Sequence, residues 1–195
     1  MRIDSHQHFW NYDTEKHNWI DDSMAVLKHD FLPQHLQPLL KQQQLDGCVT
    51  VQCETSVDEI HSMLQHAKQN DFIKGVVGWL DFTAANVEEQ LEYFSQFNLL
   101  KGFRHVVQAE PDERFLLRKD FCEGIAQLAR FNFAYDILIF PHQLPAAVEF
   151  VKLFPNQKFV LDHIAKPNIA KQEIDEWRNN IYALAKSENV WCKLS

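Results

Sequence analysis

Seven short β-rich runs alternate with helical segments from one end of this chain to the other. The runs cover residues 2–8, 46–53, 73–80, 100–107, 133–140, 158–163 and 190–194. Between them, apolar residues recur at helical spacing. Leu36, Leu39 and Leu40 form one stripe over 33–44, and Val57, Ile60, Met63, Leu64 and Ala67 a second over 56–70. Val87, Leu91 and Phe94 form a third over 84–97, with Glu88 and Glu89 early, where the helix dipole favours acids. Helices are also expected over 115–129, 145–154 and 173–188. Alternating strands and helices build parallel strands with right-handed crossovers, and ligands then bind at the carboxyl ends of the strands. No linker interrupts the pattern, so residues 1–195 are expected to form a single domain, and 46% hydrophobic residues suffice for its core.

Two architectures fit this order, an open doubly wound sheet and a closed barrel. A dinucleotide-binding sheet wants a glycine-rich turn after its first strand. This chain has five glycines in all and places His6-Gln7-His8 there instead. Side chains two apart on a strand share a face, so two imidazoles can hold one divalent cation or one substrate. A barrel collects its site from all of its strand ends. The other strand ends here carry Gln52-Cys53-Glu54, Trp79-Leu80-Asp81, Arg104-His105, Asp136 followed by His142, Asp162-His163 and Lys193. Taken singly, Asp81 suits a helix cap, Asp136 a neighbouring backbone group, Lys193 the surface and Glu54 a solvated loop. Taken together, His6, His8, Arg104, His105 and His163 point to a shared polar cleft.

The formal net charge of −8 argues against a nucleic-acid surface. No apolar run is long enough to span a bilayer and no secretory leader is visible, so neither nucleic acid nor membrane is an expected partner. Cys48, Cys53, Cys122 and Cys192 form no Cys-x-x-Cys pair. Cys48, Cys53 and Cys192 fall in strands and read as small core residues, and a reduced, cytoplasmic setting is expected.

Five strings then stand out in order along the whole chain. They are Asp4-Ser5-His6-Gln7-His8-Phe9-Trp10, Gly78-Trp79-Leu80-Asp81-Phe82, Gly102-Phe103-Arg104-His105, Leu161-Asp162-His163-Ile164-Ala165-Lys166-Pro167 and Val190-Trp191-Cys192-Lys193-Leu194-Ser195. Together they resemble the amidohydrolase-related (amidohydrolase 2) family, in its branch of sugar-acid lactonases of the L-fuconolactonase and L-rhamnonolactonase type. The resemblance implies an α/β fold, a TIM-type (β/α)8 barrel of the amidohydrolase superfamily. It implies a hydrolase that opens a small sugar-acid 1,4- or 1,5-lactone by metal-assisted water attack. The implied cofactor is a divalent metal, zinc foremost, at His6, His8 and His163, although some relatives are thought to work without one.

The catalytic set implied is His163, His105 and Arg104. Substrate contacts fall to Arg104, His105, Trp79, Glu54, Trp10 and His142. Arg104 would clamp a carboxylate or hydroxyls through its planar fork, and His105 would donate to the ring oxygen. Trp10 and Trp79 would stack on an apolar sugar face, with core packing as the alternative for each.

The family continues into an eighth strand-helix unit that carries an aspartate, and this sequence stops at seven strands. The eighth unit is therefore expected to be missing, leaving two open sheet edges and making self-association into a homo-oligomer an expectation. Two further readings stay open. One is a hydrolase or decarboxylase of an aromatic-acid-derived carboxylate in the same superfamily, which Arg104 suits. The other is a non-catalytic remnant that binds a ligand or partner through an incomplete barrel. His17, His29 and His35 lie in the excursion after the first strand, and His61 and His66 on a helix. All five read as surface or loop residues. The excursion would cover the mouth of the barrel with Trp19 as its anchor.

Overall fold

The computed structural model describes residues 1–194; Ser195, the last residue of the final string above, lies outside the described residues. Seven strands follow chain order in one sheet. They are β1 (Ile3–Gln7), β2 (Gly47–Val51), β3 (Ile73–Gly78), β4 (Leu100–His105), β5 (Ala134–Ile137), β6 (Phe159–Leu161) and β7 (Val190–Cys192). The helices between them are α1 (Pro33–Gln42), α2 (Val57–Gln69), α3 (Val87–Phe94), α4 (Lys119–Ile125), α5 (Leu144–Leu153) and α6 (Asp175–Leu184). The described ladders β1–β2, β2–β3, β4–β5, β5–β6 and β6–β7 are all parallel. The chain divides into two compact units, Met1–Trp79 with Phe97–Lys101, and Leu80–Gln96 with Gly102–Ser195.

In the first unit, β2 reads Gly-Cys-Val-Thr-Val and is buried along nearly its whole length, as a strand covered on both faces should be. Helix α2 turns Ile60, Met63 and Ala67 inward at three- and four-residue spacing. Ser56 caps it by accepting from the Asp58 N–H at 3.2 Å. Glu59 faces back from the first turn of α2 and accepts from the Cys53 and Glu54 N–H groups at 2.7 and 2.9 Å. That carboxylate fixes the loop where β2 ends.

The excursion after β1 departs from its reading as surface. His17 is 1% exposed, with its ring against those of Trp10 and Tyr12. Trp19 is 47% exposed, so His17 and the buried Ile20 anchor this segment instead. His66 is half-buried against the Phe9 ring, whereas His29, His35 and His61 are exposed.

Gln44, just past α1, holds φ 55°. That left-handed conformation costs an L-residue about 1–2 kcal/mol and is where helices favour glycine. Gln44→Gly is expected to raise stability by about 0.5–1 kcal/mol after glycine's greater chain entropy is deducted. The denaturant midpoint reads it, and an unchanged midpoint would mean that the Gln44 side chain offsets the strain.

The second unit is built on aromatic rings. Phe82, Phe103, Phe121, Tyr135, Phe150 and Phe159 are fully buried. Their rings meet mostly edge to face, with centroids 5.7 Å apart for Phe82–Tyr135 and 5.9 Å for Phe82–Phe121. Full burial of such a side chain contributes about 1.5–3 kcal/mol. The helix expected over 115–129 is broken. A 3-10 turn at Phe115–Leu117 is followed by Arg118 at ψ 137°, then α4, then a second 3-10 turn at Leu128–Phe131. Gly124 lets α4 lie against the chain at Phe82, because a Cβ there would stand 2.0 Å from the Phe82 carbonyl oxygen. Cys192 is exposed rather than a core residue, while Cys48 is buried and Cys53 half-buried; all four cysteines are free thiols. Among the described residues, no helix is long and apolar enough to cross a membrane.

Candidate active site

In the first unit, β1 delivers His6 and His8 half-buried, with their Nε2 atoms 3.1 Å apart. The rings meet edge-on at 74°. His8 Nδ1 stands 2.8 Å from the Val51 carbonyl oxygen. A carbonyl only accepts, so Nδ1 carries the proton and Nε2 keeps its lone pair. Two nitrogens bound to one zinc at about 2.0–2.1 Å in tetrahedral geometry are themselves roughly 3.3 Å apart. The donor pair therefore fits a divalent ion, and a backbone carbonyl on the other ring nitrogen is the usual support for a ligating histidine.

The other sequence-selected residues of this unit are placed as follows. Glu54 pairs with Lys16 at 3.3 Å. Trp10 lies against Phe31, ring centroids 4.5 Å apart, and bridges it through the backbone. Trp79 is half-buried one residue past β3.

In the second unit, neighbouring strands assemble a buried chain of alternating charges. Arg104 on β4 and Asp136 on β5 are register partners. Arg104 Nη1 lies 3.2 Å from Asp162 Oδ2, just past β6. Lys193, just past β7, places Nζ 3.0 Å from Asp162 Oδ1 and 2.5 Å from Asp136 Oδ2. None of the four side chains is more than 9% exposed. Lys193 is thus an interior cation rather than a surface one, and Asp136 answers that cation rather than a backbone group. The sequence signal for both was a charge inside an apolar run, as in Phe133-Ala134-Tyr135-Asp136-Ile137-Leu138. Arg104, expected to clamp a substrate, is 4% exposed and donates through Nη1 to Asp162.

Burial, and then the charge of Asp162, push the Asp136 carboxyl up to about 6 from an ordinary 3.8, with Lys193 pulling the other way. An acid raised on folding stabilises the native state fully below its unfolded pKa, and that contribution is lost as pH climbs through the folded value. Asp136→Asn mimics the protonated form. The stability of wild type relative to this variant is therefore expected to fall as pH rises from about 4 to about 7. Urea melts of both across that range measure it, and a relative rise would reverse the assignment.

His105 ends β4 with Nε2 2.6 Å from Glu110 Oε1 and its ring stacked on Phe115, centroids 5.0 Å apart. Sequence reading missed Glu110, because only the 3-10 turn Val107–Ala109 brings it back to the strand end. His142 is exposed, its ring against Phe140. Asp81 accepts from the Thr83 N–H and hydroxyl at 2.9 and 2.6 Å, closing a local turn ahead of α3 rather than capping it.

His163 sits half-buried at the head of an unusual segment. His163, Ile164, Ala165 and Lys166 take φ of 52°, 47°, 56° and 50°. Four consecutive non-glycine residues in the left-handed region cost about 1–2 kcal/mol each, the β-branched Ile164 being the least suited. Three hydrogen bonds hold the turn. The Ile164 N–H donates to Lys193 O at 3.1 Å and the Lys166 N–H to His163 O at 2.8 Å, while Trp177 Nε1 donates to Ile164 O at 2.7 Å. With no glycine in it, the string gave no hint of this backbone.

The profile of the amidohydrolase family matches residues 3–195. L-fucono-1,5-lactonase of Burkholderia multivorans (strain ATCC 17616 / 249) is 38% identical over 201 residues, which take in 100% of this chain and 68% of that protein. A protein of the same name from Burkholderia ambifaria is 30% identical over 195 residues, covering 100% of this chain and 67% of its own length. Among solved structures, an amidohydrolase from Burkholderia multivorans with bound zinc superposes with a TM-score of 0.95 at 38% identity, over 100% of this chain and 69% of that one.

Proposed function

The chain belongs to the amidohydrolase family, a family of (β/α)8 barrels of which the described residues supply seven strands, and from that premise we propose that it is a lactonase acting on L-fucono-1,5-lactone or a sugar-acid lactone of like size. The observation that carries the reading is the His6–His8 pair at the carboxyl end of β1, Nε2 atoms 3.1 Å apart, in a chain similar along its whole length to proteins of that name.

Opening a lactone takes an activated water, a polarised carbonyl and a proton for the leaving ring oxygen. His6 and His8 would hold a divalent ion, zinc foremost. When bound, that ion supplies carbonyl polarisation and makes water acidic near neutral pH. His163, presented by the left-handed turn, gives the ring oxygen its proton. The His105–Glu110 pair takes the proton from water, Glu110 orienting the imidazole as the third group of a catalytic relay does. Trp79 lines the sugar's apolar face. Within the second unit, the Arg104–Asp162–Lys193–Asp136 chain ties together the strand ends that carry His105 and His163.

A pH-stat assay of the chain with L-fucono-1,5-lactone, with added zinc and after chelation, tests the reading. Acid release above the spontaneous rate is expected, and more of it with zinc. No acceleration for any 1,4- or 1,5-sugar lactone would retire the proposal. Turnover of an unsaturated dicarboxylate lactone instead would move it to the carboxylate-substrate reading.

A further inference from the structure

The cations at the strand ends of the second unit are not all balanced. Arg104 and Lys193 are matched by Asp162 and Asp136. Lys166 is not. Its ammonium donates to Gln108 Oε1 at 2.6 Å and lies 5.4 Å from the centre of the Phe140 ring. Both partners are uncharged, and among the described residues no carboxylate stands within ion-pair distance. Half-burial, and then the nearby Arg104 charge, lower its pKa, with the Asp162 carboxylate acting the other way. A part-dry cation whose direct partners are all neutral is an attractive seat for an anion.

The backbone brings Lys166 to this position deliberately. It is the last residue of the left-handed turn, and that turn starts at His163. Strain of this kind persists where the surroundings over-determine it, and it concentrates at ligand-holding sites. The ties from Lys193 and Trp177 to Ile164 supply that over-determination.

We propose that Lys166 is the seat for the carboxylate that appears when the lactone opens. The proposal rests on the lactonase reading above. In that reaction the acyl–oxygen bond of the ring breaks and the oxygen of water joins the acyl carbon. The ring oxygen leaves as a hydroxyl, and one proton is released at neutral pH. A neutral substrate thus becomes a monoanion. An ammonium at the acyl end favours product over substrate and steadies the negative charge as it develops. Gln108 holds the ammonium in place by accepting one of its three donors, which leaves donors for a carboxylate. Arg104 cannot fill this role, being 4% exposed and bonded to Asp162.

The test is calorimetric titration of L-fuconate into the full chain, as wild type, Lys166→Met and Lys166→Arg, with pH-stat lactone hydrolysis run in parallel. Lys166→Met should weaken L-fuconate binding at least tenfold and Lys166→Arg by much less, while a neutral polyol of the same carbon skeleton distinguishes none of them. Wild-type binding should also weaken as salt rises. Lys166→Gln repeats the measurement if the methionine variant does not fold. Equal L-fuconate affinity in wild type and in the folded methionine or glutamine variant overturns the proposal. So does an active wild type that binds no L-fuconate. If wild type hydrolyses no lactone, the lactonase reading falls by itself, and acetate, citrate and benzoate replace L-fuconate as probes. Lys166-dependent binding of any of them then supports the anion seat, and independence from Lys166 overturns it.

Discussion

Lys193→Met is expected to destabilise the protein by about 3–5 kcal/mol, the range for breaking a buried ion pair by removing one partner. Lys193 Nζ is the only cation whose described contacts reach both Asp136 and Asp162, at 2.5 and 3.0 Å. Methionine keeps most of the apolar stem and removes the charge. Arg104 still answers Asp162, but Asp136 is left buried without its ion-pair partner, with only the neighbouring Arg104 charge still favouring its ionised form. It must then take up a proton or admit water, and either route costs the native state. Unfolding in guanidinium chloride should show a lower midpoint at unchanged slope. Asp136→Leu in the same chain removes the stranded acid, so the double variant should recover a good part of the loss. With the Asp136→Leu single variant as the fourth corner of the cycle, the departure from additivity gives the coupling energy of the pair. A loss below about 1 kcal/mol in the single variant would mean that Lys193 behaves as an exposed lysine.

That outcome matters because Lys193 marks where sequence reading runs out. The strand cores were legible because runs such as Gly-Cys-Val-Thr-Val and Ile-Lys-Gly-Val-Val-Gly are β-branched and short. Their ends were read too long. Residues such as Asp162 and His163 look like strand by composition, yet they leave the ladder and enter a 3-10 turn directly after β6. His6 and His8 were legible because a spacing of two is local. Arg104 facing Asp136 is a matter of register between β4 and β5, and Asp162 meets Lys193 only because β6 and β7 pair. No local pattern encodes those distances. His17 failed for a related reason. A polar residue in a long loop is ordinarily exposed, and only the neighbouring rings of Trp10 and Tyr12 make its burial visible.

His8→Ala is expected to lower lactone hydrolysis by more than the roughly 10–100-fold that loss of a group behind a metal ligand costs, and to lower bound zinc with it. His8 donates through Nδ1 to Val51 O, and this fixes the tautomer that leaves Nε2 as a ligand 3.1 Å from His6 Nε2. Alanine removes the ligand and abandons one exchangeable hydrogen bond. The fold should survive, because His8 is half-buried and the core near β1 rests on Phe9 and Cys48. His6→Ala should give the same paired loss. Elemental analysis of the dialysed proteins reads zinc, the pH-stat reads the rate, and near-ultraviolet dichroism confirms folding. If both folded variants keep zinc and rate, the ion sits elsewhere and the His-x-His pair is a structural contact between two rings. If zinc falls but the rate holds, the pair binds metal that the reaction does not use, and hydrolysis then rests on the His105–Glu110 and His163 groups of the second unit.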